Sequence, residues 1–101
     1  MTNRNFKIDF TENSLQQLTD LKIDPSRQRI AKAVVKSIGF MIENIRHPSL
    51  HTHKYGELSG PDGEEVFESY AQNKTPGAYR IFWYYGPGKN KITIIRITSH
   101  P

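Results

Sequence analysis

The sequence predicts an α+β fold: a helical hairpin packed on one face of a small, mostly antiparallel sheet, in the order β-α-α-β-β-β. Three observations carry this. The opening "FKIDF" alternates apolar and polar residues, two segments of helical spacing follow, and three segments dense in aromatic and β-branched residues close the chain. Helices gathered before a run of strands favour a sheet covered on one face and open on the other.

In the first strand Phe6, Ile8 and Phe10 oppose Lys7 and Asp9. From Thr11, "TENSLQQLTDL" sets Leu15, Leu18 and Leu21 at helical spacing. A start signal stands at "IDPSRQRI", where Asp24 caps and Pro25 suits the first helical position. Ile30, Val34, Ile38, Met41 and Ile45 then form an apolar stripe that predicts a helix of about twenty residues, stopped by Pro48. Residues 49 to 63, "SLHTHKYGELSGPDG", carry turn signals and little periodicity, which predicts a surface loop. Three strands follow in "EEVFESYAQ", "AYRIFWYYG" and "KITIIRITSHP", the last two joined by the turn "PGKN".

At 101 residues, without linker or repeat, the chain reads as one domain over 1–101. The absence of cysteine removes disulfides, thiol nucleophiles and Cys-based zinc sites, and suits a reducing cytoplasm. "MTNRNFKIDF" contains no apolar run of signal-peptide or membrane-span length, so a soluble cytoplasmic protein is expected. A formal charge of +4 and a pI near 9.5 favour a polyanion or an acidic protein as partner.

Alternation along a strand sends Arg80, Phe82 and Tyr84 to one face and Ile81, Trp83 and Tyr85 to the other. On the last strand Arg96, Thr98 and His100 oppose Ile95 and Ile97. The apolar set Ile81, Trp83, Ile95 and Ile97 belongs against the helices. Arg80, Tyr84, Arg96 and His100 then lie on the uncovered face, where truncation costs little stability. Ile92 and Ile94 share the parity of His100, so either a bulge shifts the register or the open face is partly apolar near the hairpin.

The element order, the basic charge, "AYRIFWYY", the turn "YGELSG" and the final "ITIIRITSHP" together resemble the RelE/ParE superfamily of toxins from bacterial toxin–antitoxin pairs, over nearly the whole chain. The resemblance implies a cognate antitoxin as partner. It also implies one of two activities: ribosome-dependent cleavage of messenger RNA, or, in the ParE branch, non-enzymatic inhibition of DNA gyrase. A relative that only binds an antitoxin is a third outcome. Many RelE-type members follow the last strand with an arginine and a helix bearing a tyrosine, whereas Pro101 stands in the arginine's place here. YoeB-like members end close to a histidine that serves as the acid, which His100 matches. Ser99-His100 leans towards the nuclease.

Cleavage of this type needs a base for the 2′-hydroxyl, a cation for the phosphate and an acid for the leaving oxygen. Arg80 suits the cation, since its planar fork matches phosphate oxygens and stays charged. His100 suits the acid. The base is Glu68 or Glu57. Tyr70 and Tyr84 are candidates for stacking on bases, and Arg96 and Lys54 for phosphate contact. Arg29, Lys32 and Lys36 form a basic stripe on the long helix, a solvated face or a ribosomal RNA contact. His51 and His53 sit beside Lys54 in "HTHK", and without cysteine or a carboxylate at a familiar offset they favour phosphate over metal. No cofactor or metal is implied.

Overall fold

The computed structural model describes residues 5–100. Strand β1 (Lys7–Phe10) leads into helices α1 (Glu12–Ile23) and α2 (Gln28–Glu43), and β2 (His53–Ser59), β3 (Glu65–Tyr70), β4 (Tyr79–Tyr85) and β5 (Lys91–Ser99) follow. One sheet results, ordered β1-β5-β4-β3-β2, with β1 parallel to β5 and every other pair antiparallel. This is the expected α+β class with one strand more than the sequence predicts. Residues 53–59, read as loop, form β2. Most of its side chains are exposed, so it has no buried face to create an apolar alternation, and pairing with β3 makes it a strand. Among the described residues no helix is long and apolar enough to cross a membrane.

Helix α1 starts where Thr11 accepts a hydrogen bond from the Ser14 amide at 3.2 Å. It buries Ser14, Leu18 and Leu21, while Leu15, expected on the same face, is 50% exposed. A polar residue takes the buried slot because the Ser14 hydroxyl donates to the Ile94 carbonyl at 2.6 Å. Asp24 caps as expected, but the turn it caps is a 3-10 turn over Pro25–Arg27 that precedes α2. Helix α2 has 16 residues and ends at Glu43, before Ile45 and Pro48 are reached. Its buried stripe is Ala31, Val34, Ser37, Ile38 and Met41.

The core lies between the helices and one face of the sheet: Leu18, Leu21, Ala31, Val34, Ile38, Met41 and Leu50 pack against Ile81, Trp83, Ile92, Ile94 and Ile97. Ile95, expected in that set, is only partly buried and stands outside it. Phe82 pairs with Arg96 but Trp83 pairs with Ile94, so Ile95 is the extra residue of a β-bulge. The bulge is the alternative that the parity of Ile92 and Ile94 demanded. It turns Ile92 and Ile94 into the core, and Arg96 and Thr98 pair with Phe82 and Arg80 on the opposite face.

Beyond Ile94, β5 has β4 on one side and no strand on the other. Polar groups of α1 take over that edge. The Thr11 amide donates to the Ile94 carbonyl at 3.0 Å, and the Ile97 amide donates to Gln17 Oε1 at 2.7 Å. On the other side the His100 amide donates to the Ala78 carbonyl at 2.7 Å, so the strand end is held up to His100.

Ile94→Ala is expected to cost about 2–5 kcal/mol, as for a fully buried aliphatic side chain, and Ile95→Ala about 1 kcal/mol or less. Urea denaturation of both variants checks this, and equal costs would contradict the bulge. At the 3-10 turn, hydrogen bonds from the Ser26 hydroxyl and amide, and then from Arg27, hold the Asp24 carboxyl down at about 2, against an ordinary 3.8. A carboxyl with a lowered folded value stabilises fully above pH about 4, and that stabilisation is lost as the pH falls towards 2. The Tm difference between the native chain and Asp24→Ala should therefore shrink between pH 4 and pH 2.

Candidate active site

The face of the sheet away from the helices carries one buried carboxylate. Glu68 on β3 pairs with Phe82 on β4 and with His53 on β2, and its side chain is 3% exposed. Three basic groups surround it. His53 Nε2 lies 2.7 Å from Oε1, Arg80 Nε 3.5 Å from Oε2 and His100 Nδ1 3.4 Å from Oε2. A carboxylate removed from water to this degree is tolerated only with such partners. The Oε2 side is nevertheless loose. Neither Oε2 nor the Nε of Arg80 makes a hydrogen bond of good geometry, although the two face each other as an ion pair.

Arg80 reaches this position from β4, opposite Thr98 and Tyr70. Its Nη1 donates to the Gln72 carbonyl at 2.7 Å, and its guanidinium lies over the Tyr70 ring at 3.6 Å. The expectation of an uncovered, cheaply truncated arginine is corrected here: Arg80 is 7% exposed because Tyr70 covers it and Glu68 neutralises it. The same holds for the apolar groups beside it. Phe82 and Tyr84 are buried, and the Tyr55 ring from β2 lies 4.8 Å from Phe82. No helix covers this face; its own aromatic side chains shelter it.

Tyr55 has a place in the site that its sequence context did not suggest, and His53, expected at a phosphate with His51 and Lys54, turns instead to Glu68. Burial raises the Tyr55 hydroxyl above its ordinary value, and the charges of Glu57 and Glu68 raise it further, with Arg96 acting in the opposite sense. Tyr55 donates to Glu57 Oε1 at 3.4 Å, which joins Glu57 to the rim of the face as an exposed carboxylate. With residues 53–59 taken as loop, no parity could be assigned to these side chains. The usable signal was the spacing of His53, Tyr55 and Glu57, which places alternate residues on one face once a strand is recognised.

Of the residues singled out from sequence, Glu68, Arg80, His100 and Tyr70 come together around the carboxylate. Arg96 and Tyr84 share their face, Tyr84 being buried and Arg96 exposed. Lys54 does not join them. It pairs in register with the core-facing Phe67 and forms an ion pair with Glu65 at 3.3 Å. Arg29, Lys32 and Lys36 are exposed on α2, on the helical side of the sheet, and Lys32 and Lys36 border an apolar groove with Lys22 and Val35. His51 packs on the Tyr70 ring at 4.9 Å while His53 turns to Glu68, so the His-x-His pair does not converge on one point. Pro101 lies outside the described residues.

No protein-family model matches this sequence, and no curated protein matches it. Solved structures do match. The chain is similar to the YoeB/ParE toxin from Agrobacterium tumefaciens, with a TM-score of 0.68 at 11% identity over 95% of this chain and 100% of that one. It is similar to a chain of the archaeal RelE–RelB complex from Pyrococcus horikoshii OT3, with a TM-score of 0.62 at 8% identity over 94% of each. A YoeB dimer from Staphylococcus aureus gives 0.62 at 12% identity over 96% of this chain and 99% of that one. The chain therefore shares its fold with these YoeB/ParE and RelE structures, which is the fold its sequence resemblance implied.

Arg80→Ala leaves Glu68 buried without its cation, and is expected to lower stability by about 3–5 kcal/mol. The double variant Arg80→Met with Glu68→Gln removes both charges and should recover much of that loss. Chemical denaturation of the two variants beside the native chain makes the comparison.

Proposed function

We propose that this chain is the toxin of a toxin–antitoxin pair and acts as a metal-independent, ribosome-dependent endoribonuclease on messenger RNA. The observation that carries the reading is the cluster on the open face of a toxin fold: a guanidinium, a buried carboxylate, and two imidazoles whose side chains are 48% and 50% exposed. A non-enzymatic gyrase inhibitor has no need of such a cluster.

The reaction assigned to it is attack of a ribose 2′-oxygen on the adjacent phosphorus. The bond from phosphorus to the 5′-oxygen breaks, leaving a 2′,3′-cyclic phosphate and a free 5′-hydroxyl. Arg80 offsets the charge that builds on the phosphate. Its hydrogen bonds run through Nη1, which leaves Nη2 to face a phosphate oxygen. His100 gives a proton to the leaving 5′-oxygen. Glu57, the carboxylate that solvent reaches, takes the 2′-hydroxyl proton, because both oxygens of Glu68 are already turned to His53, Arg80 and His100. Arg96, exposed on the same face, holds a backbone phosphate beside the cleft, and the basic residues of α2 meet ribosomal RNA on the far side.

The partner of such a toxin is an antitoxin whose acidic segment folds over the basic face. One of the similar structures is itself a RelE–RelB complex.

Expression of the chain alone should stop methionine incorporation before thymidine incorporation, and primer extension should show cuts in ribosome-bound messages. His100→Ala is expected to lower cleavage by about 10²- to 10⁴-fold without loss of fold, the usual range for a general acid. Removing residues 99–101 should do the same. If thymidine incorporation stops first, the gyrase reading replaces this one.

A further inference from the structure

We infer that Glu68 is the positioning residue of this site, and that it fixes Nε2 of His100 as the atom acting on the phosphodiester; this inference rests on the endoribonuclease reading. His53 holds one side of the carboxylate. A carbonyl oxygen only accepts, so the 2.8 Å contact of His53 Nδ1 with the His51 carbonyl puts a hydrogen on Nδ1. His53 Nε2 lies 2.7 Å from Glu68 Oε1. This second contact is a hydrogen bond only when the pair holds one more proton, as imidazolium with carboxylate or as imidazole with carboxylic acid. Both ring nitrogens of His53 are then engaged. Its ring anchors Oε1 and has no free nitrogen for RNA.

His100 is held differently. Its Nδ1 lies 3.4 Å from Oε2, the carboxylate oxygen without a hydrogen bond, and its backbone amide is tied to Ala78. An acceptor facing Nδ1 selects the tautomer protonated there and leaves Nε2 to work at the open face. The contact is long for a hydrogen bond and would tighten when substrate closes the cleft. In the reaction, the His100 imidazolium passes its Nε2 proton to the 5′-oxygen and keeps Nδ1–H directed at Glu68. Proton by proton, the ring ends neutral and the leaving group ends as a hydroxyl. The groups paired with Glu68 are His53 from β2, Arg80 from β4 and His100 from β5, and the Tyr55 hydroxyl beside them feels the charges of Glu57, Glu68 and Arg96. Among these, His53 and Arg80 hold the carboxylate in place, and His100 alone presents a free ring nitrogen.

The test reads the ring nitrogens of His100 by ¹⁵N NMR on the chain without RNA, beside kinetics on ribosome-bound message. The neutral His100 ring should carry its proton on Nδ1 in the native chain, and shift towards the Nε2-protonated form in Glu68→Gln. Cleavage by Glu68→Gln should fall by about 10- to 100-fold in kcat, as for loss of an orienting partner, with KM within about twofold. The pH profile of its cleavage should differ from that of the native chain. A native His100 protonated on Nε2, or a Glu68→Gln chain that cuts with unchanged kcat and pH profile, would overturn the inference. The native spectrum needs no substitution, so a misfolded variant does not spoil the test. A native chain that cuts no message while showing the Nδ1 tautomer overturns the nuclease reading and leaves the Glu68–His100 contact standing.

Discussion

The bulge at Ile95 is the constraint on which both faces of this protein depend. Residues 92, 94, 96, 98 and 100 share one parity, and an unbroken strand would send them all the same way. Ile92 and Ile94 belong in the core, so Arg96 and Thr98 would be driven in behind them. One extra residue reverses the alternation, and the same strand fills the core with its first half and faces the site with its second. On its other edge β5 loses β1 after Ile94, which leaves backbone groups in need of partners. Thr11, Ser14 and Gln17 at the start of α1 provide them, which docks the helix onto the strand at the bulge. The facing of His100 thus follows from the bulge, and the docking of α1 from the free strand edge beside it.

The site obeys a different economy. A carboxylate that is 3% exposed needs compensation, and Arg80 alone does not complete it, since the two ions meet without a good hydrogen bond. His53 closes one oxygen tightly, and His100 approaches the other loosely. Such an arrangement is costly as a stabiliser and useful as a mount. The tight side keeps the carboxylate still, and the loose side can engage an imidazole that remains half in water. Tyr70 completes the mount by lying under the guanidinium, while Ser37 of α2 donates to the Tyr70 backbone carbonyl at 3.1 Å, joining the site to the core.

Much of the fold was legible in the chain. The apolar stripe of α2, the cap at Asp24, the aromatic run of β4 and the need for an irregularity near Ile94 all follow from local spacing. What escaped was β2, whose side chains are mostly solvated on both sides and leave no apolar period to read. Losing β2 meant losing the parity of His53, Tyr55 and Glu57. Leu15 was misplaced for a related reason: spacing alone cannot tell that a serine one residue earlier takes the buried position by bonding to a carbonyl eighty residues away.

By itself, then, the sequence determined β1, both helices and the last three strands, and which face of β4 and β5 carries Arg80, Arg96 and His100, because side-chain direction is a property of the local backbone period. It also contained every member of the site. Only the tertiary structure decided that the open face buries Arg80, Phe82 and Tyr84 among its own side chains, that Glu68 lies at its centre, and that His53 is the partner holding it. Those facts depend on cross-strand register between residues far apart in the chain, and on how much water the packed strands exclude. Neither quantity has a local signature.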